Sequence, residues 1–126
     1  MLSSAPFERP EGDWPNGTKR VEVLVLDTGK RPAQKYFDEL VPSRAAQELI
    51  AALEKIIETP GWVQMGNVLK PIRHVSGIWQ VTAANHRWLG FRKDERLVLT
   101  HGFRKTGAEA QKIEIAKAAG YRGQFP

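Results

Sequence analysis

Hydrophobic residues first gather at Val21, where Val-Glu-Val-Leu-Val-Leu runs into the turn-prone Asp27-Thr28-Gly29. β-Branched residues in such quick succession predict a strand, with apolar side chains on both faces toward its end. The period then lengthens. Pro32 suits a first helical turn, and Tyr36, Phe37 and Leu40 form a short apolar stripe. Pro42 interrupts it. Ser43 is placed to cap a second helix, in which Ala46, Leu49, Ile50, Leu53, Ile56 and Ile57 share one face as far as Glu58. Thr59-Pro60-Gly61 ends that helix.

Residues 61–76 are rich in Gly, Asn and Pro and read as a loop with a basic end, Lys70-Pro71-Ile72-Arg73-His74. Three β-prone stretches follow, Ile78–Thr82, His86–Arg92 and Arg96–Phe103. The connections between them are short enough to make them antiparallel neighbours. Thr106 and Glu109 then fit a capping box, opening a helix to about Ala119 with Ala110, Ile113 and Ala116 as its inner face and Gly120 as its stop. Residues 1–19, punctuated by Pro6, Pro10, Gly12, Pro15 and Gly17, read as an irregular leader, with Trp14 placed to tuck onto the domain. The expected fold is α+β: an N-terminal strand, two helices, an antiparallel three-strand meander and a C-terminal helix, in a single domain over residues 20–126.

Composition sets bounds. A chain of 126 residues has room for one modest core. It has no cysteine, so disulfides and thiolate metal sites are excluded. No apolar run approaches the roughly 20 residues that span a bilayer, and Met1–Gly12 lacks the pattern of a secretory signal. The expectation is a cytoplasmic protein with no membrane partner. Charge is divided unevenly: residues 1–59 carry eight Lys/Arg against ten Asp/Glu, a net −2, while residues 60–126 carry eleven against four, a net +7. A polyanion partner for the second half fits this balance, because clustered cations displace counterions from phosphates. A plain solvated basic surface fits it as well.

The stretch from Lys70 to Lys117 resembles the RelE/ParE toxin superfamily, and within it the HigB-like branch, including phage-derived members. The residues that carry the likeness are Gly77-Ile78-Trp79, His86-Arg87, Leu97–Leu99, His101-Gly102-Phe103, Arg104-Lys105-Thr106 and Ile113-Glu114. With the N-terminal strand and Tyr36-Phe37, it extends over roughly residues 20–119. It implies a RelE-like fold and the toxin of a type II toxin–antitoxin system, an endoribonuclease that cuts mRNA on the ribosome. It also implies a cognate antitoxin, a small helix-turn-helix protein, in a complex expected to be heterotetrameric. The strand after Gly77 departs from the pattern. It reads Trp79-Gln80-Val81-Thr82, where many relatives read Trp-Glu-Leu-Arg.

Metal-independent RNA cleavage uses the ribose 2′-hydroxyl against its own phosphodiester. It needs a base, cationic donors for the extra charge on phosphorus and an acid for the leaving oxygen. Arg serves the charge best, because its planar fork grips two phosphate oxygens. The resemblance makes Arg87 the first catalytic candidate, the alternative being a surface Arg paired with Asp94 or Glu95. Arg104 and Lys105 precede a helix N-terminus, a place that favours phosphate. His74 and His86 are the free histidines for proton transfer. His101 reads as a packed core histidine on the side of Leu97, Leu99 and Phe103. Lys70, Arg73 and Lys112 are candidates for binding RNA backbone, and Trp62 for stacking on a base. No metal and no cofactor are expected, since three scattered histidines offer no ligand spacing. Two other functions stay open: a non-catalytic nucleic-acid or ribosome binder on the same fold, and a ParE-like gyrase poison.

Overall fold

The computed structural model describes residues 1–126. Strands β1 (Ser3–Pro6), β2 (Arg20–Val25), β3 (Leu69–Pro71), β4 (Ile78–Ala83), β5 (His86–Lys93) and β6 (Arg96–Arg104) form one sheet. Helices α1 (Pro32–Leu40) and α2 (Arg44–Glu58) cover one face of it, and α3 (Ala108–Gln124) the other. The order across the sheet is β1-β2-β6-β5-β4-β3. All neighbours are antiparallel except β2 and β6, which pair in parallel from Arg20↔Arg96 to Val23↔Leu99. The α+β class matches expectation, but the layout does not: the sheet has six strands, and the strand expected at the N-terminus of the fold, β2, is the second of them. No helix is long and apolar enough to cross a membrane.

Two strands had no counterpart in the expected layout. Ser3–Pro6, within the stretch read as an irregular leader, pairs with β2, and Leu69–Pro71, within the stretch read as a loop, pairs with β4. What ties the N-terminal stretch down is side chains that the strand itself lacks. Leu2 and Phe7 are buried at its two ends, and the Trp14 indole donates to the Phe7 carbonyl at 3.0 Å. Lys19 is buried as well. Its ammonium donates to the carbonyls of Ile56, in the last turn of α2, and of Thr59, the residue that ends it.

Strand alternation divides the core between the two faces. Val21, Val23, Val81, Trp88, Leu97 and Leu99 meet Phe37 of α1 and Leu49, Leu53 and Ile56 of α2. On the opposite face Leu24, Ile78, Leu89, Phe91, Val98 and Phe103 meet Ala118 of α3. Ser43 caps α2 as expected, its hydroxyl accepting from the Ala46 N–H at 3.3 Å. Helix α3 differs from expectation at both ends and in phase. Gly107 stands at its N-cap without a side-chain bond, and the helix continues through Gly120 to Gln124. Its inner face is Gln111, Glu114, Ile115, Ala118 and Tyr121, whereas Ile113 is 70% exposed and Ala110 and Ala116 face outward.

A bulge in β6 sets which side chains reach which face. Leu89 pairs with His101 and Gly90 with Leu99, which leaves Thr100 as an extra residue. Its hydroxyl donates to the Leu89 carbonyl at 3.1 Å. Beyond Thr100 the alternation is reset. His101 therefore lies on the α3 face with Phe103, not on the α2 face with Leu97 and Leu99, which corrects the expected placement. It is packed and hydrogen-bonded as expected, with Nδ1 on the Thr100 hydroxyl at 2.9 Å.

Candidate functional site

Cross-strand partners in a sheet point to the same face, so register alone assembles a polar cleft beside α3. Lys70 of β3 stands opposite Gln80 of β4, and Thr82 of β4 opposite Arg87 of β5. Arg87 in turn stands opposite Phe103 on the α3 face. Two residues past Phe103, Lys105 is tied to the hairpin turn through its N–H, which donates to the Asn85 carbonyl at 2.7 Å. These residues, with Asn67 and Gln111, line a cleft of about 330 Å³. Three cations converge on it, and neither a carboxylate nor an apolar side chain lines it.

Arg87 is half-buried and pinned. One terminal nitrogen donates to the carbonyls of Ala84 at 3.0 Å and His86 at 2.9 Å, leaving its other N–H groups for a ligand. Burial lowers its pKa, yet a guanidinium stays charged at neutral pH. It pairs with neither Asp94 nor Glu95, the bland alternative for this residue; Glu95 is instead bridged by Arg92 at 3.5 Å. Gln80 is buried beneath the cleft, its Oε1 accepting from the Gln111 amide of α3 at 2.9 Å. Amides, a hydroxyl and three cations together present donors to whatever enters. Such a lining suits an anion with several oxygens, a phosphodiester above all.

Of the residues expected at one site, Lys70, Arg87 and Lys105 are brought together. Arg104 is not. It stands opposite His86 across β5 and β6, on the α1 face of the sheet. There the Tyr36 hydroxyl and His86 Nδ1 share a hydrogen bond of 2.7 Å. Burial lowers the His86 pKa, and the charges of Arg104 and Arg87 lower it further, so this imidazole is neutral at pH 7. Burial also raises the Tyr36 pKa, partly offset by Arg104. The sheet thus separates His86 from the cleft as a proton-transfer group. Arg73 and His74 are exposed in the loop between β3 and β4 and do not line the cleft. Lys112 is exposed on α3 and pairs with Glu109 at 3.2 Å.

Trp62 is half-buried against Trp79, with ring centroids 6.0 Å apart, and its ring already carries Arg92 and Lys19 at 5.1 and 5.4 Å. It is a packing element with cations over it rather than a free stacking platform. Asn67 and Gln111 had no role in the sequence reading, and Gln80 and Thr82 entered it only as neutral departures. Alternation with Arg87 was the signal that places Gln80 and Thr82 beside it. Comparison with family models, with curated proteins and with solved structures finds no match to this chain.

Proposed function

We propose that this chain is an endoribonuclease of the kind its motifs resemble, the toxin of a type II pair that cuts mRNA on the ribosome. The observation that carries the reading is the convergence of Lys70, Arg87 and Lys105 on a cleft free of carboxylates. RNA enters with a phosphodiester between Arg87 and Lys105. The 2′-hydroxyl gives its proton to water as its oxygen attacks phosphorus; the bond to the 5′-oxygen breaks, that oxygen takes a proton from water, and the strand is left with a 2′,3′-cyclic phosphate and a free 5′-hydroxyl. Fixed cations gain most at the step where negative charge builds on the phosphoryl oxygens, because they need no rearrangement to meet it. Lys70 lies on the sheet beside them and holds an adjoining phosphate. An antitoxin of helix-turn-helix type would silence the protein by covering this cleft in a heterotetrameric cytoplasmic complex.

A second reading has its own support. No histidine or carboxylate lines the cleft, so the side chains that most often serve as general base are missing from it. On that reading the cleft binds RNA or ribosome without cutting. Expression of the chain alone, with transcript 5′ ends mapped, separates the two. Growth arrest with new ends inside translated codons supports the nuclease. Arrest with intact transcripts supports the binder, and supercoiling defects would turn attention to gyrase.

A further inference from the structure

The carboxamide of Gln80 is only half used. Its oxygen accepts from the Gln111 amide of α3 at 2.9 Å, which leaves its own Nε2 turned the other way. That nitrogen donates to no group of the protein, yet it is not sealed in; the buried side-chain polar atoms without a partner are Trp62 Nε1 and His101 Nε2. It therefore opens onto the cleft that Gln80 helps to line, although the residue is only 2% exposed. Lys70 flanks Gln80 in β3 and the buried Leu89 flanks it in β5. An N–H held in such a floor is costly until an acceptor arrives. The walls decide which acceptor. Lys70, Arg87 and Lys105 line the cleft, none of them in an ion pair, and no carboxylate stands among them. Oxygens that carry negative charge are what such walls gather. A fourth cation in the floor would have to be desolvated there, whereas a neutral amide supplies its donor at far lower cost.

We propose that Gln80 binds the phosphodiester directly, its Nε2 N–H donating to one non-bridging oxygen while Arg87 and Lys105 hold the other. Gln111 is then a positioning residue, since its bond fixes which end of the Gln80 carboxamide faces the cleft. A diester has two non-bridging oxygens, and a neutral donor on one side with cations on the other tells them apart. That the anion is a diester rests on the nuclease reading; that Gln80 offers a donor to the cleft does not.

The probe is a 2′-deoxy dinucleoside phosphate, which has a single phosphodiester and no 2′-hydroxyl to cut it, with its two phosphorothioate diastereomers beside it. In the ¹⁵N-labelled protein the Gln80 side-chain amide protons move downfield saturably as the probe is added. In Gln80→Met the parent probe and one diastereomer lose affinity on the order of tenfold, the usual worth of one bond to a charged acceptor. The other diastereomer, whose sulfur already faces Gln80, loses far less, as a contact broken from both sides requires. Gln80→Glu keeps the bond from Gln111 and offers no N–H, so it gives the same pattern with an added loss, common to all three probes, from its charge. A Gln80 amide that stays still while the backbone signals of Arg87 and Lys105 move overturns the proposal. So does an equal loss for all three probes in both variants, which would be damage to the floor rather than a lost contact. A cleft in which no signal moves overturns this proposal and removes the support for the nuclease with it. The predicted pattern beside uncut translated mRNA sinks the nuclease alone and upholds Gln80 as a contact to bound RNA.

Discussion

Gln111 of α3 donates its amide to Gln80 of β4 at 2.9 Å, and this bond ties the third helix to the floor of the cationic cleft. Gln80 is buried, so loss of its partner leaves an acceptor unserved. Gln111→Ala is expected to lower stability by about 1 kcal/mol, read from urea unfolding. Because it removes no cation, it should weaken RNA binding far less than loss of Arg87.

The three cleft cations should appear in the salt dependence of RNA binding. Each phosphate neutralised on a single strand contributes roughly 0.7 to the slope of log K against log salt. Replacing Lys70, Arg87 and Lys105 together by Ala should flatten that slope by roughly 2. Lys112→Ala, at an exposed site paired with Glu109, should leave it unchanged. Equal flattening by both would assign binding to diffuse surface charge.

His101 gives the fold a pH dependence of known sign. Its folded-state pKa of about 4 lies below the unfolded value near 6.5, so the unfolded chain binds more protons in that window. Stability is therefore full above about pH 6.5 and falls as the pH drops toward 4. The cost is on the order of 2–3 kcal/mol at the low end. Glu114 and Lys117 are the charged groups against the ring. Thermal unfolding of wild type and His101→Gln at pH 7 and pH 4.5 should show a smaller drop in the variant.

Gly102 keeps the two faces of β6 in place. A Cβ there would stand 2.6 Å from the Tyr36 ring and 2.7 Å from the Trp88 indole nitrogen. Gly102→Ala must push Tyr36 outward, which loosens its bond to His86. The expected loss is about 1–3 kcal/mol, measurable by denaturant unfolding.

Hydrophobic period was enough to place β2, α2 and the meander, because each buries a continuous face. It missed β1 and β3 for a physical reason. Ser-Ser-Ala-Pro and Leu-Lys-Pro have almost no β-forming side chains, and their order comes from edge pairing and from flanking residues such as Leu2 and Phe7. Helix α3 was read in the wrong phase because alanines and isoleucines occupy several of its sides, so contact with Phe91 and Phe103 decides what the sequence leaves open.

The site was half legible. Arg87, Lys105 and Lys70, all singled out from the sequence, line one cleft. Arg104 was grouped with Lys105 because they are adjacent, yet adjacent strand residues point to opposite faces. The placement of His101 failed at the Thr100 bulge, since one extra residue reverses every side chain after it. Trp62 looked free because its cover, Arg92 and Lys19, comes from distant parts of the chain.

Cleavage of translated mRNA by Arg87→Ala and Arg104→Ala, compared side by side, bears most directly on the cleft. The two arginines belong to the same basic segment but lie on opposite faces of the sheet. A catalytic cleft beside α3 predicts a loss on the order of 10²-fold for Arg87→Ala with the fold intact. Arg104→Ala should stay within a few-fold of wild type. Full activity in Arg87→Ala, or its collapse in Arg104→Ala alone, would contradict that cleft as the place where RNA is cut.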